Sequence, residues 1–212
     1  NSQINNKYCE KCNIYVIKCI ILVINRKGEN IMYELFDFDK REKAVVGYHF
    51  HCENPNHVLC IIHGVGEHAG RYDRMAGYLK KEGIAAVSMD LRGHGRSTGK
   101  RGNAAPRKEV LNDIDALIEY AQELYPNVPI VLYGHSMGGN IVLNYALRRK
   151  PNIALLIASS PYIRLAFEPP AIKLFLAKTV GKIWPTLSQR TGLDPLAISR
   201  DLQVVEAYKA DK

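Results

Sequence analysis

Four short apolar runs, HVLCII (57–62), IAAVSMD (84–90), VPIVLYG (128–134) and IALLIASSP (153–161), recur along the chain with longer amphipathic stretches between them. Each run is too short for a buried helix and apolar on both of its alternating faces, which suits a strand covered on two sides. The stretches between them read as helices. RYDRMAGYLKKEG (71–83) ends in Gly83, a residue suited to closing a helix. RKEVLNDIDALIEYAQELYP (107–126) repeats apolar side chains at Val110, Ile114, Leu117, Ala121 and Leu124, one buried face. GGNIVLNYALRRK (138–150) follows the third run directly. Strands alternating with helices imply an α/β domain with a largely parallel sheet and helices on both faces. Ahead of this pattern, MYELFDF (32–38) and AVVGYHFH (44–51) flank the charged turn DKREK and predict an antiparallel pair.

The chain has 212 residues, 47% of them hydrophobic and 24% charged, enough for one domain with a sizeable core. The formal net charge is +8, but the basic patches at 99–102 and 148–150 lack the interleaved aromatic residues of a nucleic-acid platform. A solvated basic surface is expected, and no nucleic-acid partner. The cysteines, Cys9, Cys12, Cys19, Cys52 and Cys60, are odd in number, which argues against a disulfide framework. Cys9 and Cys12 form a C-x-x-C without a second pair at zinc spacing, so no metal site is expected. The run IYVIKCIILVI (14–24) is interrupted by Lys18 and shorter than the roughly 20 residues that span a bilayer. No small-residue cleavage site follows it, and a cytoplasmic location is the default expectation.

Residues 1–31 are rich in Asn, Ile and Lys and lack the patterning that begins at Met32. They are expected to be a non-native or disordered leader, with 32–168 forming the front part of the core and 169–212 the beginning of a helical cap. Within the cap, AIKLFLAKTVGKIW (171–184) places Ile172, Leu176, Val180 and Ile183 on one stripe. That stripe suits equally a helix packed on the domain and a surface that touches lipid.

The chemistry is concentrated in GHSMG (134–138), a G-x-S-x-G between a predicted strand and a predicted helix. A serine on a sharp strand-to-helix turn presents its hydroxyl above the sheet, and bulky residues at the flanking positions would collide with neighbouring backbone. Ser136 is thereby the candidate nucleophile. The helix start supplies amide donors and a favourable dipole for an anionic intermediate. A second donor must come from a loop after an earlier strand, and HGVGEH (63–68) is such a loop. Val65 and Met137 are the candidate oxyanion donors, both through the main chain. His63 and His68 are read as bracing the loop.

HGVGEHAGRY (63–72), DLRGHGRSTGKRG (90–102) and GHSMGGNIVLNYA (134–146) together resemble the signatures of the monoacylglycerol lipase and lysophospholipase group of α/β-hydrolases, often catalogued with serine aminopeptidases. The resemblance runs from about Glu34 to the end, including LSQRTGLDPLAISRDLQVVEAYKAD (187–211), which is similar to the family's cap. It implies the α/β-hydrolase fold, a serine hydrolase acting on a small-molecule acyl ester, a membrane-tolerant cap making peripheral contact, and no cofactor. It also implies a structural part for His94 in the 90–97 motif.

A serine needs a base to take its proton, and in this fold the acid and then the histidine follow the serine in sequence. None of the seven histidines follows Ser136, and the aspartates that do, Asp194, Asp201 and Asp211, fall in the region similar to the cap or just after it. The expectation is a sheet incomplete at its C-terminal end, lacking the triad acid and histidine, with IALLIA left as an apolar edge, low solubility and negligible ester turnover. Two rivals remain: an amidase or aminopeptidase on the same fold, and an inactive chain that only binds acyl ligands or a partner.

Overall fold

The computed structural model describes residues 4–9, 14–24, 30–37, 45–103, 105–164, 170, 172, 175, 179–180 and 194–211. Eight strands form one sheet: β1 (Ile4–Cys9), β2 (Ile14–Ile24), β3 (Asn30–Asp37), β4 (Val46–Phe50), β5 (His57–Ile62), β6 (Ile84–Met89), β7 (Ile130–His135) and β8 (Leu155–Ser159). Their spatial order is β1-β2-β3-β4-β6-β5-β7-β8. Four α-helices have both ends among the described residues: α1 (Asp73–Lys81), α2 (Arg107–Leu124), α3 (Met137–Arg149) and α4 (Leu202–Ala210). The α/β architecture expected from the sequence is present. Its parallel register lies in β6, β5, β7 and β8, the half that carries the candidate site, while β1 to β4 and the β4–β6 junction are antiparallel.

The expected pair around residues 39–43 is β3 against β4, with Tyr33 opposite Phe50 and Asp37 opposite Val46. The turn between them lies outside the described residues. β1 and β2 fall within the stretch expected to stand apart from the fold. They extend the sheet by antiparallel pairing, with Cys19 opposite both Ile4 and Leu35.

The alternation of side chains along β5 divides the core in two. Val58, Cys60 and Ile62 face one cluster, whose helical wall is built from α2 and α3 through Leu111, Ile114, Leu117, Ala121, Val142 and Tyr145. Leu59 and Ile61 face the other, walled by Ala69, Tyr72 and Ala76 in and before α1. The predicted stripe of α2 accounts for its docking: Ile114, Leu117 and Ala121 are fully buried, and Val110 and Leu124 pack partly buried beside them. Each large aliphatic side chain so buried contributes about 2 kcal/mol. At the far end of α1, the chain turns through Gly83 at φ +71°, the left-handed closure that the sequence signalled.

β5 pairs in parallel with both β6 and β7. The connection from β5 to β6 runs through α1 on one face, and that from β6 to β7 through α2 on the other, so the winding reverses at β5. In open α/β sheets a crevice opens at the carboxyl ends of the strands at such a reversal. The residues delivered there are His63 and Gly64 from β5 and Ser136 from β7. Beyond β7, β8 makes no other strand pairing among the described residues, and Leu155 and Ile157 on it are exposed. The apolar edge expected from IALLIA is therefore present.

Of the stripe in 171–184, Leu176 and Ile183 lie outside the described residues. Ile172 and Val180 are helical, as are Phe175 and Thr179, and Ile172 and Phe175 are about two-thirds exposed (69% and 67%).

Candidate active site

Ser136 stands between the last residue of β7 and the first of α3 with φ +52° and ψ −113°. A non-glycine residue rarely adopts a positive φ, and holding one there costs about 1–3 kcal/mol that the surroundings must supply. Three bonds supply part of it. The Ser136 amide donates to Ser159 O at 2.9 Å, and the Ser136 carbonyl accepts from Asn140 N at 3.1 Å and Tyr162 N at 3.0 Å. The glycines on either side have no room for a side chain. A Cβ on Gly138 would overlap Ile62 O and His63 O, and one on Gly134 would overlap the backbone of Gly138. The turn therefore brings α3 against the end of β5, and only glycine allows it.

The loop after β5 closes the other side. A Cβ on Gly64 would sit 3.4 Å from the Ser136 Cβ, which places this loop directly beside the serine. Its conformation is held by side chains. His63, fully buried, bonds Gly64 O through Nδ1 at 2.7 Å and accepts from Leu91 N through Nε2 at 2.9 Å. One ring nitrogen thus donates and the other accepts, the pattern of a neutral imidazole. Burial drives its pKa down to about 4, reinforced by His94, whose ring centre lies 5.1 Å away. The Glu67 carboxylate accepts from Gly64 N at 2.9 Å and from the Tyr72 hydroxyl at 3.2 Å.

His68 opens a short 3-10 turn, Ala69–Tyr72, by accepting from Gly70 N at 3.1 Å. Both histidines read from the sequence as braces hold this loop in place. His94 bonds Arg92 O at 3.3 Å and keeps to its own loop.

Two more side chains anchor the loop, Asp90 at the head of the 90–102 motif and Asp211 at the end of the 187–211 stretch. Asp90, fully buried at the end of β6, accepts from Ala69 N at 2.7 Å, Arg96 N at 2.7 Å and the Tyr48 hydroxyl at 3.2 Å. It ties the glycine loop to the 90–97 loop, and Gly95 is small because the Asp90 carboxylate occupies the space a Cβ would need. Asp211 is the second, reaching His68 and Arg71 from the far end of the chain. An acidic residue following a strand is a signal for the first. Nothing local in the sequence points to the second.

Val65 is 47% exposed and Met137 half-buried. Among the described residues neither backbone amide has a protein acceptor. One lies next to Gly64 in the loop and the other opens α3 directly after Ser136. Beyond Val65 lies a pocket of about 290 Å³, lined by Glu67, His68, Arg71, His94, Arg101 and Asp211 among others.

Among the described residues no imidazole bonds the Ser136 hydroxyl. His135 instead bonds Ser159 Oγ at 3.2 Å. The aspartates downstream of the serine are also engaged elsewhere: Asp194 accepts from Leu196 N, Asp201 caps α4 through Gln203 N, and Asp211 pairs with His68 and Arg71. No group of metal-ligating side chains occurs among the described residues, nor does any helix long and apolar enough to cross a membrane.

Comparison with known proteins places this arrangement in context. The family described as serine aminopeptidase, S33 matches residues 53–212. A monoacylglycerol lipase of Mycolicibacterium smegmatis is 37% identical over 158 residues, which are 74% of this chain and 56% of that protein. The crystal structure of a Paleococcus ferrophilus monoacylglycerol lipase superposes with a TM-score of 0.67 at 35% identity, covering 81% of this chain and 63% of the other. A soluble variant of the Saccharomyces cerevisiae monoglyceride lipase, solved with a substrate analog, gives a TM-score of 0.69 at 25% identity, covering 83% and 60% respectively. The chain thus spans little more than half the length of the bacterial relative it matches.

Proposed function

The chain belongs to the serine aminopeptidase S33 family of α/β-hydrolases, and from that premise we propose that it carries the nucleophile half of a serine hydrolase acting on single-chain carboxylic esters of monoacylglycerol or lysophospholipid type. The observation that carries the reading is the backbone of Ser136, held at φ +52° between two glycines that admit no side chain. A strained serine at the carboxyl edge of the sheet has a cost to stability and gains nothing from packing, which is the signature of a functional constraint.

In the proposed reaction the Ser136 oxygen attacks the acyl carbon, the alcohol leaves, and water later releases the acid from the acyl-enzyme. Val65 and Met137 donate their amides to the oxyanion, the two donors that the fold leaves uncommitted. The pocket beyond Val65, with Glu67, His68, Arg71, Arg101 and Asp211 on its wall, offers hydrogen-bonding groups to a hydroxylated leaving group. The general base is assigned to none of the seven histidines, because none reaches the serine. On this reading the chain alone turns over ester negligibly. No cofactor enters the scheme. The exposed Ile172 and Phe175 support a peripheral contact with lipid, and a cytoplasmic protein fits that contact.

The test is labelling with a fluorophosphonate, in which the serine oxygen displaces fluoride at phosphorus. Slow labelling that maps to Ser136 and disappears in Ser136→Ala supports the proposal. Labelling unaffected by that substitution overturns it. The family's description keeps amide cleavage as a second reading, and matched ester and anilide substrates given to a form with the full complement of catalytic groups separate the two.

A further inference from the structure

The glycine loop is fixed at its start and its end by residues close to the sheet: His63 and Glu67 hold Gly64, and Asp90 holds Ala69. Between them Val65 and Gly66 are exposed, and Gly66 stands at φ +67° with nothing within 4 Å of where a Cβ would stand. One further contact reaches this stretch from far along the chain. Both oxygens of Asp211 lie 3.1 Å from His68 Nε2, and one accepts from Arg71 Nε at 2.6 Å. Because His68 Nδ1 accepts from Gly70 N, its proton is on Nε2 and is donated to Asp211. Arg71 also stacks over the Tyr208 ring at 4.8 Å, and Val205 on the same helix is buried. The end of α4 is thus clamped onto the C-terminal part of the loop, and Asp211 and Val65 line the same pocket.

We propose that Asp211 is a positioning residue for acyl transfer at Ser136, tying the end of α4 to His68 and Arg71 and so setting the loop segment that presents the Val65 amide. The inference rests on the hydrolase reading of Ser136 and Val65. Charge-assisted bonds from two donors hold the carboxylate far more strongly than neutral bonds would. Arg71 and His68 keep its pKa below the usual carboxylate value despite the cost of partial burial. Replacing the charge while keeping the shape should therefore loosen the loop without emptying any core position.

The experiment compares the parent chain with Asp211→Asn and Asp211→Glu by amide hydrogen exchange and by the rate of fluorophosphonate labelling. In Asp211→Asn, exchange at the Gly70 and Arg71 amides, both bonded to His68, should rise about tenfold, labelling should slow about tenfold, and the protected His68 Nε2–H signal should vanish, with exchange in β5 and β7 unchanged. Asp211→Glu should restore at least half of the labelling rate. Unchanged exchange at Gly70 and Arg71 overturns the proposal, and so does faster exchange with unchanged labelling. Ser136→Ala, run in parallel, reads the hydrolase assignment separately: if it labels like the parent that assignment falls, while exchange at Gly70 and Arg71 still decides whether Asp211 holds the loop.

Discussion

Ser136 is approached from two sides by backbone that is fixed in two different ways. On the elbow side, between β7 and α3, the conformation is imposed by contact. Gly134 and Gly138 are pressed against carbonyl groups of the neighbouring strand and helix, and there is one way to assemble them. On the loop side, between β5 and α1, there is space: a Cβ at Gly66 would meet nothing within 4 Å. That side is fixed by polar side chains reaching in, His63, Glu67, Asp90 and Asp211. Steric fixation holds at every pH and fails all at once when a methyl group is added. Fixation by hydrogen bonds depends on protonation and can be loosened one bond at a time. The nucleophile sits on the first kind and one proposed oxyanion donor on the second.

The sharpest way to break this comparison is to add a methyl group to each side. Gly138→Ala should destabilise the protein by about 3 kcal/mol, the upper end for overpacking, because the obstructing atoms are main-chain oxygens of β5 that cannot rotate away. Gly66→Ala meets no obstruction and should cost only the left-handed strain, about 1 kcal/mol. Urea denaturation of both variants checks the pair. Equal losses would mean that the elbow is not sterically fixed.

Acid distinguishes the two sides next. His63 is neutral in the folded chain, with its pKa lowered to about 4 from 6.5. The unfolded chain binds a proton there between those values and the folded chain does not, so stability is complete above about pH 6.5 and falls as pH drops toward 4. The loss reaches about 3 kcal/mol at the lower limit. His94 opposes protonation, while Gly64 O, Asp90 and Glu67 favour it without offsetting burial. His63→Gln should be less stable at pH 7 and flatter between pH 6.5 and 4, measured by denaturation midpoints. A parent curve already flat over that range would show that the loop is not held by a neutral buried imidazole.

The same contrast explains which parts of the molecule were legible in its sequence. The strands of the parallel half show as apolar runs because both of their faces are covered, as Val58, Cys60 and Ile62 on one face and Leu59 and Ile61 on the other attest. The elbow shows as G-x-S-x-G because steric fixation demands glycine, and glycine leaves a spelled pattern. The loop's glycines were equally visible, yet the groups that hold it were only partly so. His63 and His68 lie within the motif and could be read as braces. Asp90 also heads a motif, but its partner and that of Asp211 lie 21 and 143 positions away, and pairing over such spans has no period or spacing to betray it. The pairing of β1 with β2 and β3 has no signal in the sequence for a related reason. An edge hairpin is selected by register with its neighbour, Cys19 opposite Leu35 for example, and that register is a property of two segments at once.

The smallest effect concerns the serine itself and separates strain from chemistry. If Ser136 is strained by its positive φ, removing its Cβ should help. Ser136→Gly relieves about 1–3 kcal/mol of backbone strain and gives back about 0.4–1 kcal/mol through the greater freedom of glycine in the unfolded chain. A net gain of about 1 kcal/mol is expected in the denaturation midpoint. Ser136→Ala keeps the Cβ and therefore the strain, so its stability should match the parent within about 0.5 kcal/mol, although both variants lose the hydroxyl. A gain from glycine and none from alanine locates the cost in the backbone, where the neighbouring glycines and the bonds to Ser159 and Tyr162 impose it. Equal gains from both would locate it in the hydroxyl group. The elbow would then be an unstrained turn, and the steric half of the comparison would lose its foundation.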